Sequence, residues 1–310
     1  MACNISKIKN FLNQNFLKKY TITSLEQDAS LRKYYRIETK QHSYILMDSS
    51  ADHQALRNFI KISNLLKKYE FSVPEIILAD LSENILVIED FGNISFNKYL
   101  KLNPSQSDKF YKLALDNLLE IAKIKISDIE LNCHNLSELM LGINLLEKYY
   151  LKQKTEKLTI IAEQIIKQLD FKFNYLVLRD FHADNLMILN NRENYHQIGI
   201  LDYQDASKGF LAYDLVSLTQ DARCFVSLAQ QKRYFNYFAE KLKIKNLSDF
   251  RKEYDILSFQ RNARILGLFA KFKSEGKNNY TQYIKNVEKY FYHSLNSPYL
   301  TPIKNYLDKL

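Results

Sequence analysis

The spacing of apolar and polar positions changes along this chain and predicts its elements. Residues 32–38 (RKYYRIE) and 43–48 (SYILMD) are rich in aromatic and branched side chains. The polar stretch 39–42 between them makes the pair a strand hairpin. In residues 55–68, Leu56, Phe59, Ile60, Leu65 and Leu66 recur at helical spacing, and Ser72-Val73-Pro74 breaks the helix they predict. Two further strands are predicted at 75–79 and 84–89. After Phe91-Gly92-Asn93 the texture turns helical, from 104–124 onward, with long periodic stretches at 213–230 and 250–273. Strand-like runs return only at 175–178, 186–189 and 198–201. The pattern therefore predicts an α+β chain with a small strand-rich unit, residues 1–92, and a larger mainly helical unit, residues 93–310.

Composition narrows the class without fixing it. The chain has 310 residues, 46% of them hydrophobic and 25% charged, which is ordinary for a globular protein. The 44 basic and 35 acidic residues give a net charge of +9. The lysines are spread along the whole chain and form no basic block, so the pattern reads as solvated helix faces and gives no sign of a nucleic-acid partner. No apolar run approaches the ~20 residues of a membrane span, and the N-terminal stretch lacks the apolar core of a signal peptide. Cys3, Cys133 and Cys224 are scattered and outside any metal-ligand spacing. A reducing cytoplasm is the expectation.

The densest chemistry lies between Leu178 and Asp202. Asp180, His182 and Asn185 form a D-x-H-x-x-N arrangement between two predicted strands, and Asp202 ends the apolar run 198–201. Phosphoryl transfer to a hydroxyl needs a carboxylate beside the attacking oxygen and oxygen ligands for a hard cation. Asp180 is placed to accept the hydroxyl proton, and Asn185 and Asp202 to hold Mg2+. Taken singly, Asp180, Asn185 and Asp202 read more often as loop or helix caps, and His182 reads equally as a hydrogen-bonded structural histidine; the ordered set is far more specific.

The same residues carry a resemblance. RDFHADNLMIL followed by GILDYQD resembles the paired signature of the aminoglycoside phosphotransferase family, which has a two-lobed protein-kinase-like fold. QDASLRKYYRIE, YQDASKGFLAYDLVSLTQDAR and FQRNARILGLFAKFKSEGKNNY extend the resemblance over nearly the whole chain, toward its bacterial anomeric N-acetylmuramate and N-acetylglucosamine kinases. The resemblance implies ATP and Mg2+ as cofactors, Asp180 as the base, Asn185 and Asp202 as metal ligands and His182 as a brace of the loop. It also implies Asp214 as a structural acid, and residues 89–92, with Glu89 and Phe91, as the hinge facing adenine. The acceptor would be a sugar or amino sugar met in cell-wall recycling.

Two features depart from that pattern. Neither a G-x-G-x-x-G loop nor the usual third-strand lysine is present; Met47 takes the lysine's place, and the helix at 55–68 has no acid to partner one. The candidate phosphate loop is instead residues 28–33, where Ser30 and Arg32 are the expected contacts. On the acceptor side, Asp205, Arg223, Gln260 and Arg264 are the candidates. Gln260 and Arg264 share a helix face, and cations there would suit an acidic sugar. Asp221, Arg223, Arg261 and Arg264 read equally well as an internal ion-pair network. Other acceptors, an aminoglycoside or choline, remain open, as does a non-catalytic kinase-like scaffold.

Overall fold

The computed structural model describes residues 5–15, 19–25, 32–153 and 155–310. Helix α1 (Ile5–Asn15) precedes strands β1 (Thr21–Ser24), β2 (Lys33–Glu38) and β3 (Ser43–Asp48); helix α2 (His53–Lys68) and strands β4 (Ile76–Asp80) and β5 (Ile85–Glu89) follow. The strands form one antiparallel sheet in the order β1-β2-β3-β5-β4. Because side chains alternate across a strand, the sheet has two buried faces. Tyr35, Ile37, Leu46, Ile85 and Val87 pack on Ile8, Phe11 and Leu12 of α1. Met47, Leu86 and Ile88 turn the other way, into a cluster that includes Leu56, Phe59 and Leu66 of α2. Asp52 caps α2 by accepting the Ala55 N–H at 3.0 Å, so the helix starts slightly before the periodic stretch that predicts it.

Beyond β5 the chain forms α3 (Phe96–Leu102), α4 (Ser107–Ile121), α5 (Leu136–Leu145) and α6 (Lys157–Ile166), with a π-helical turn, Leu146–Tyr150, extending α5. Four short strands come next: β6 (Tyr175–Val177), β7 (Leu186–Ile188), β8 (Ile198–Ile200) and β9 (Ser207–Gly209). They pair antiparallel as β6 with β9 and β7 with β8. Helices α7 (Ala212–Thr219), α8 (Leu228–Lys241), α9 (Leu247–Ser274), α10 (Ile284–Ser294) and α11 (Thr301–Leu307) complete the chain. Among the described residues no helix is long and apolar enough to cross a membrane.

One predicted helix, 213–230, is two. Helix α7 ends at Gln220, and α8 starts at a capping box in which the Ser227 side chain accepts the Gln230 N–H and Gln230 Oε1 accepts the Ser227 N–H. The segment between them leaves the helix, and there Asp221 accepts the Ala183 N–H at 2.8 Å. Asp221 and Arg223 therefore lie beyond the end of α7, and both line one cavity.

Helix α9, 28 residues long, is buried along much of its length and crosses α5 and the π turn at close range. A Cβ on Gly142 would lie 2.6 Å from Arg264 Cβ, and one on Gly267 would collide with the backbone of Leu145 and Leu146. The two glycines set how closely the helices approach, and so where α9 presents its cavity-facing side chains.

Candidate active site

The hairpins around residues 175–209 place the predicted residues by simple geometry. Asp180 follows β6, Asn185 immediately precedes β7 and Asp202 follows β8. The β7–β8 register pairs Leu186 with Ile200, and the ladder continues as Leu201 N–H donates to Asn185 O at 2.9 Å. Asn185 and Asp202 thus emerge at the same end of one hairpin. Asn185 Nδ2 donates to Asp180 O at 3.0 Å and lies 3.4 Å from Asp202 Oδ2. Arg179 and Asp202 both have left-handed backbone, at φ +73° and +56°. Such conformations cost of order 1–3 kcal/mol each for non-glycine residues and concentrate at functional sites.

Two buried carboxylates hold the loop from either side. Asp214, at the start of α7, accepts the N–H of Leu178 at 2.6 Å and of Arg179 at 2.9 Å. Burial pushes its carboxyl up to about 7 despite those hydrogen bonds. Asp221 accepts the Ala183 N–H at 2.8 Å and the Arg223 N–H at 2.8 Å. Asp180 therefore sits on a segment fixed at residues 178, 179 and 183. His182 is 9% exposed, its Nδ1 has no hydrogen-bond partner among the described residues, and its Nε2 lies 3.4 Å from Asn185 Nδ2.

These residues line a cavity of about 730 Å³ between the five-stranded sheet and the helices. Leu25, Ile45, Pro74, Ile88, Met187 and Leu201 form an apolar slot beside residues 89–92. Glu89 accepts from Arg192 Nη2 at 2.9 Å, and the Arg192 guanidinium lies 5.3 Å from the Phe91 ring centre. Arg36 clasps the same segment. Its Nε is 2.7 Å from Asp90 Oδ2, and its Nη1 and Nη2 donate to Asn93 Oδ1 and Gly92 O. Those bonds, with Ser43 and Gly92 N–H, hold the Asp90 carboxyl below the usual range although burial acts the other way.

Arg32 reaches from the start of β2 to the Asp202 carboxylate, with Nη2 3.0 Å from Oδ1 and the Arg32 side chain 9% exposed. Met47 is fully buried in the core and is not part of the cavity wall. Ser30 lies outside the described residues.

The acceptor candidates divide. Arg223 and Arg264 line the cavity. Arg223 Nε is 3.1 Å from Asp184 Oδ2, and its guanidinium lies 5.6 Å from the Tyr283 ring centre. Asp205 is exposed, accepts from Gln204 Nε2 at 3.1 Å and is not in the cavity wall. Gln260 is fully buried and donates to Leu139 O at 2.8 Å, because its face of α9 is the one packed on α5. Among the described residues the anticipated ion-pair network does not form either: Asp221 accepts backbone N–H groups, and Arg223 pairs with Asp184. Sequence reasoning passed over Gln204, whose amide donates to Asp202 Oδ1 at 2.9 Å, and the clasp of Arg36 on Asp90. The one available signal was Gln204's position two residues after Asp202.

A sequence profile of the phosphotransferase enzyme family matches residues 21–243. An N-acetylmuramate/N-acetylglucosamine kinase of Pseudomonas aeruginosa is 26% identical over 282 residues, covering 85% of this chain and 80% of its own. One from Neisseria meningitidis is 27% identical over 297 residues, covering 88% and 86%. Among solved structures, spectinomycin phosphotransferase with ADP and spectinomycin superposes with a TM-score of 0.64 at 14% identity, covering 95% of each chain. The GDP complex of aminoglycoside 2'-phosphotransferase-IIIa does so at 0.66 and 14%, covering 94% and 99%. The shared kinase-like fold accounts for the antiparallel sheet set against a helical C-terminal region.

Proposed function

The chain belongs to the phosphotransferase enzyme family, and from that premise we propose that it is an ATP- and magnesium-dependent amino-sugar kinase. In this reading it transfers the γ-phosphoryl group to the anomeric hydroxyl of N-acetylmuramate or N-acetylglucosamine. The observation that carries the reading is the convergence of Asp180, Asn185 and Asp202 on one wall of a cavity, with an apolar slot at one end and arginines at the other. The names of the curated relatives supply the acceptor, and nucleotide-bound structural neighbours support nucleotide use.

Asp180 accepts the proton of the attacking hydroxyl, and its rigidly braced loop keeps the carboxylate in place for in-line transfer. Asn185 and Asp202 offer an amide and a carboxylate oxygen. This small oxygen-only set suits magnesium, which takes one or two protein ligands and completes its shell with phosphate oxygens and water. Bound there, the ion would neutralise charge on the transferring group. Arg32, beside Asp202, takes over the phosphate contact that Met47 cannot make, and residues 89–92 face the base. His182 supports the loop from within.

An aminoglycoside acceptor is disfavoured by Arg223, Arg261 and Arg264 on the acceptor side, since a polycation needs acids there. The test is a coupled ADP-release assay over N-acetylated sugars, aminoglycosides and choline. Turnover is expected with the N-acetylated sugars. Asp180→Ala should lower it by at least ~10³-fold while ATP affinity changes little. Turnover only with non-sugar acceptors, or a fully active Asp180→Ala variant, would refute the reading.

A further inference from the structure

Helix α9 meets the cavity along one stripe, at Arg261, Arg264, Ile265, Leu268, Phe269 and Phe272. The spacing follows the three- and four-residue steps of a helix face. The stripe is cationic at the end nearer Asp180 and apolar further on. Tyr280 closes the apolar end, with its ring centre 5.2 Å from Phe269 and 5.0 Å from Phe272.

The two arginines are unusual in what they lack. Arg261 is 4% exposed, and its one hydrogen bond among the described residues is a 3.4 Å donation from Nη1 to Gln220 O. Tyr213 is the largest influence on Arg264 and acts on Arg261 too, while Asp180 and Asp221 act on Arg261, and Asp180 and Glu138 on Arg264, only through longer-range attraction. Each acid near them is engaged or needed elsewhere. Asp221 holds two backbone N–H groups, Glu138 lies 3.5 Å from Arg179, and Asp180 faces the reacting hydroxyl. Among the described residues no carboxylate forms an ion pair with either guanidinium. Keeping a buried guanidinium such as Arg261 without a counter-ion is costly, and a fold retains it, with the half-buried Arg264 three residues on, at a cavity wall where a ligand supplies the counter-charge.

We propose that Arg261 and Arg264 form an anion subsite that takes the carboxylate of an acidic amino sugar, so that the enzyme prefers an acceptor of the muramic acid type. This rests on the amino-sugar kinase reading above. The acceptor's reacting hydroxyl then meets Asp180, its carboxylate spans to the arginines across the sugar ring, and its methyl groups lie against Ile265, Leu268 and Phe269. N-acetylglucosamine, lacking the carboxylate, leaves both cations uncompensated.

The test compares N-acetylmuramate with its lactyl amide, which keeps the shape and removes the charge, and with N-acetylglucosamine. For the wild-type protein kcat/KM should be roughly 10- to 100-fold higher for the acid than for the amide, the value of one or two charge-assisted hydrogen bonds. Arg264→Gln and Arg261→Gln should each bring the acid-to-amide ratio toward one, and Arg264→Lys should retain part of it. An acid-to-amide ratio near one in the wild type overturns the subsite even if neither variant folds. A high ratio that both glutamine variants preserve overturns the assignment to these residues. Turnover of neither sugar would instead remove the underlying kinase reading, whereas equal use of both with no charge discrimination removes the subsite alone.

Discussion

Met47 occupies a fully buried place on β3, opposite Tyr34 in the β2 register, so a charged anchor there would have to be desolvated in the core. Arg32 comes from the neighbouring strand instead and already touches Asp202. A guanidinium can bridge a carboxylate and a phosphate oxygen at once because it carries five donors in a plane. Arg32→Ala should therefore raise the KM for ATP on the order of 10- to 100-fold with a smaller effect on the acceptor KM. Steady-state kinetics varying each substrate in turn would decide it, and a purely acceptor-side defect would move the phosphate contact elsewhere. At this scale the sequence was most legible where one residue's chemistry suffices. Asp180, Asn185 and Asp202 follow from type and spacing, and the structure brings them together. Asp221's role does not, because its partner, the Ala183 N–H, is brought near only by the fold across 38 residues of chain, and Gln204's bond to Asp202, two residues away, depends on the turn between them.

At the scale of elements, alternation and helical period located the β2–β3 hairpin, α2 and the short strands of the site, because each of these buries one face. The signal failed where burial is all-round or where tertiary contacts interrupt a periodic run. Residues 213–230 keep an apolar rhythm across the gap between α7 and α8, and the break is imposed by the Ser227 cap and the Asp221 hydrogen bond. Helix α1 is rich in polar residues, yet Ile8, Phe11 and Leu12 pack on the sheet. Along α9, the α5-facing stripe is buried and the cavity-facing stripe is buried or half-buried, so periodicity alone put Gln260 on the acceptor wall when Arg261 is the residue found there. What orients α9 is its crossing with α5 at Gly142 and Gly267. Replacing Gly267 with Ala drives a Cβ into the Leu145–Leu146 backbone, which cannot yield as a flexible side chain would. Overpacking of this kind costs about 1–3 kcal/mol. The expected result is a lower urea midpoint at unchanged m-value, together with a weaker acceptor KM as the stripe shifts. An unaltered midpoint would mean that the crossing has slack and that the glycine does not set it.

For the whole molecule, the cavity is the seam between the five-stranded sheet and the helical remainder, and polar links cross it. Arg32 to Asp202 and Glu89 to Arg192 are two of them, while Arg36 fastens β2 to the connecting segment at Asp90. A nucleotide in the seam would add contacts to both sides at once, so binding should stabilise the two parts together. A ligand at about 100 times its Kd contributes about 2.7 kcal/mol, equivalent to a rise of a few degrees in Tm for a chain of this size. Magnesium should supply a distinct share, because Asp202 otherwise faces Arg32 and the phosphates without the ion that reconciles two anions. The measurement is thermal unfolding with ATP, in magnesium and in EDTA, for the wild type and Asp202→Asn. Taking the difference between the two media within each protein cancels whatever the substitution does to intrinsic stability. The wild type should show a clear magnesium-dependent increment, and Asp202→Asn should lose most of it. An increment of equal size in both proteins would place the ion away from Asp202, and no increment in the wild type would argue that nucleotide binds here without a metal.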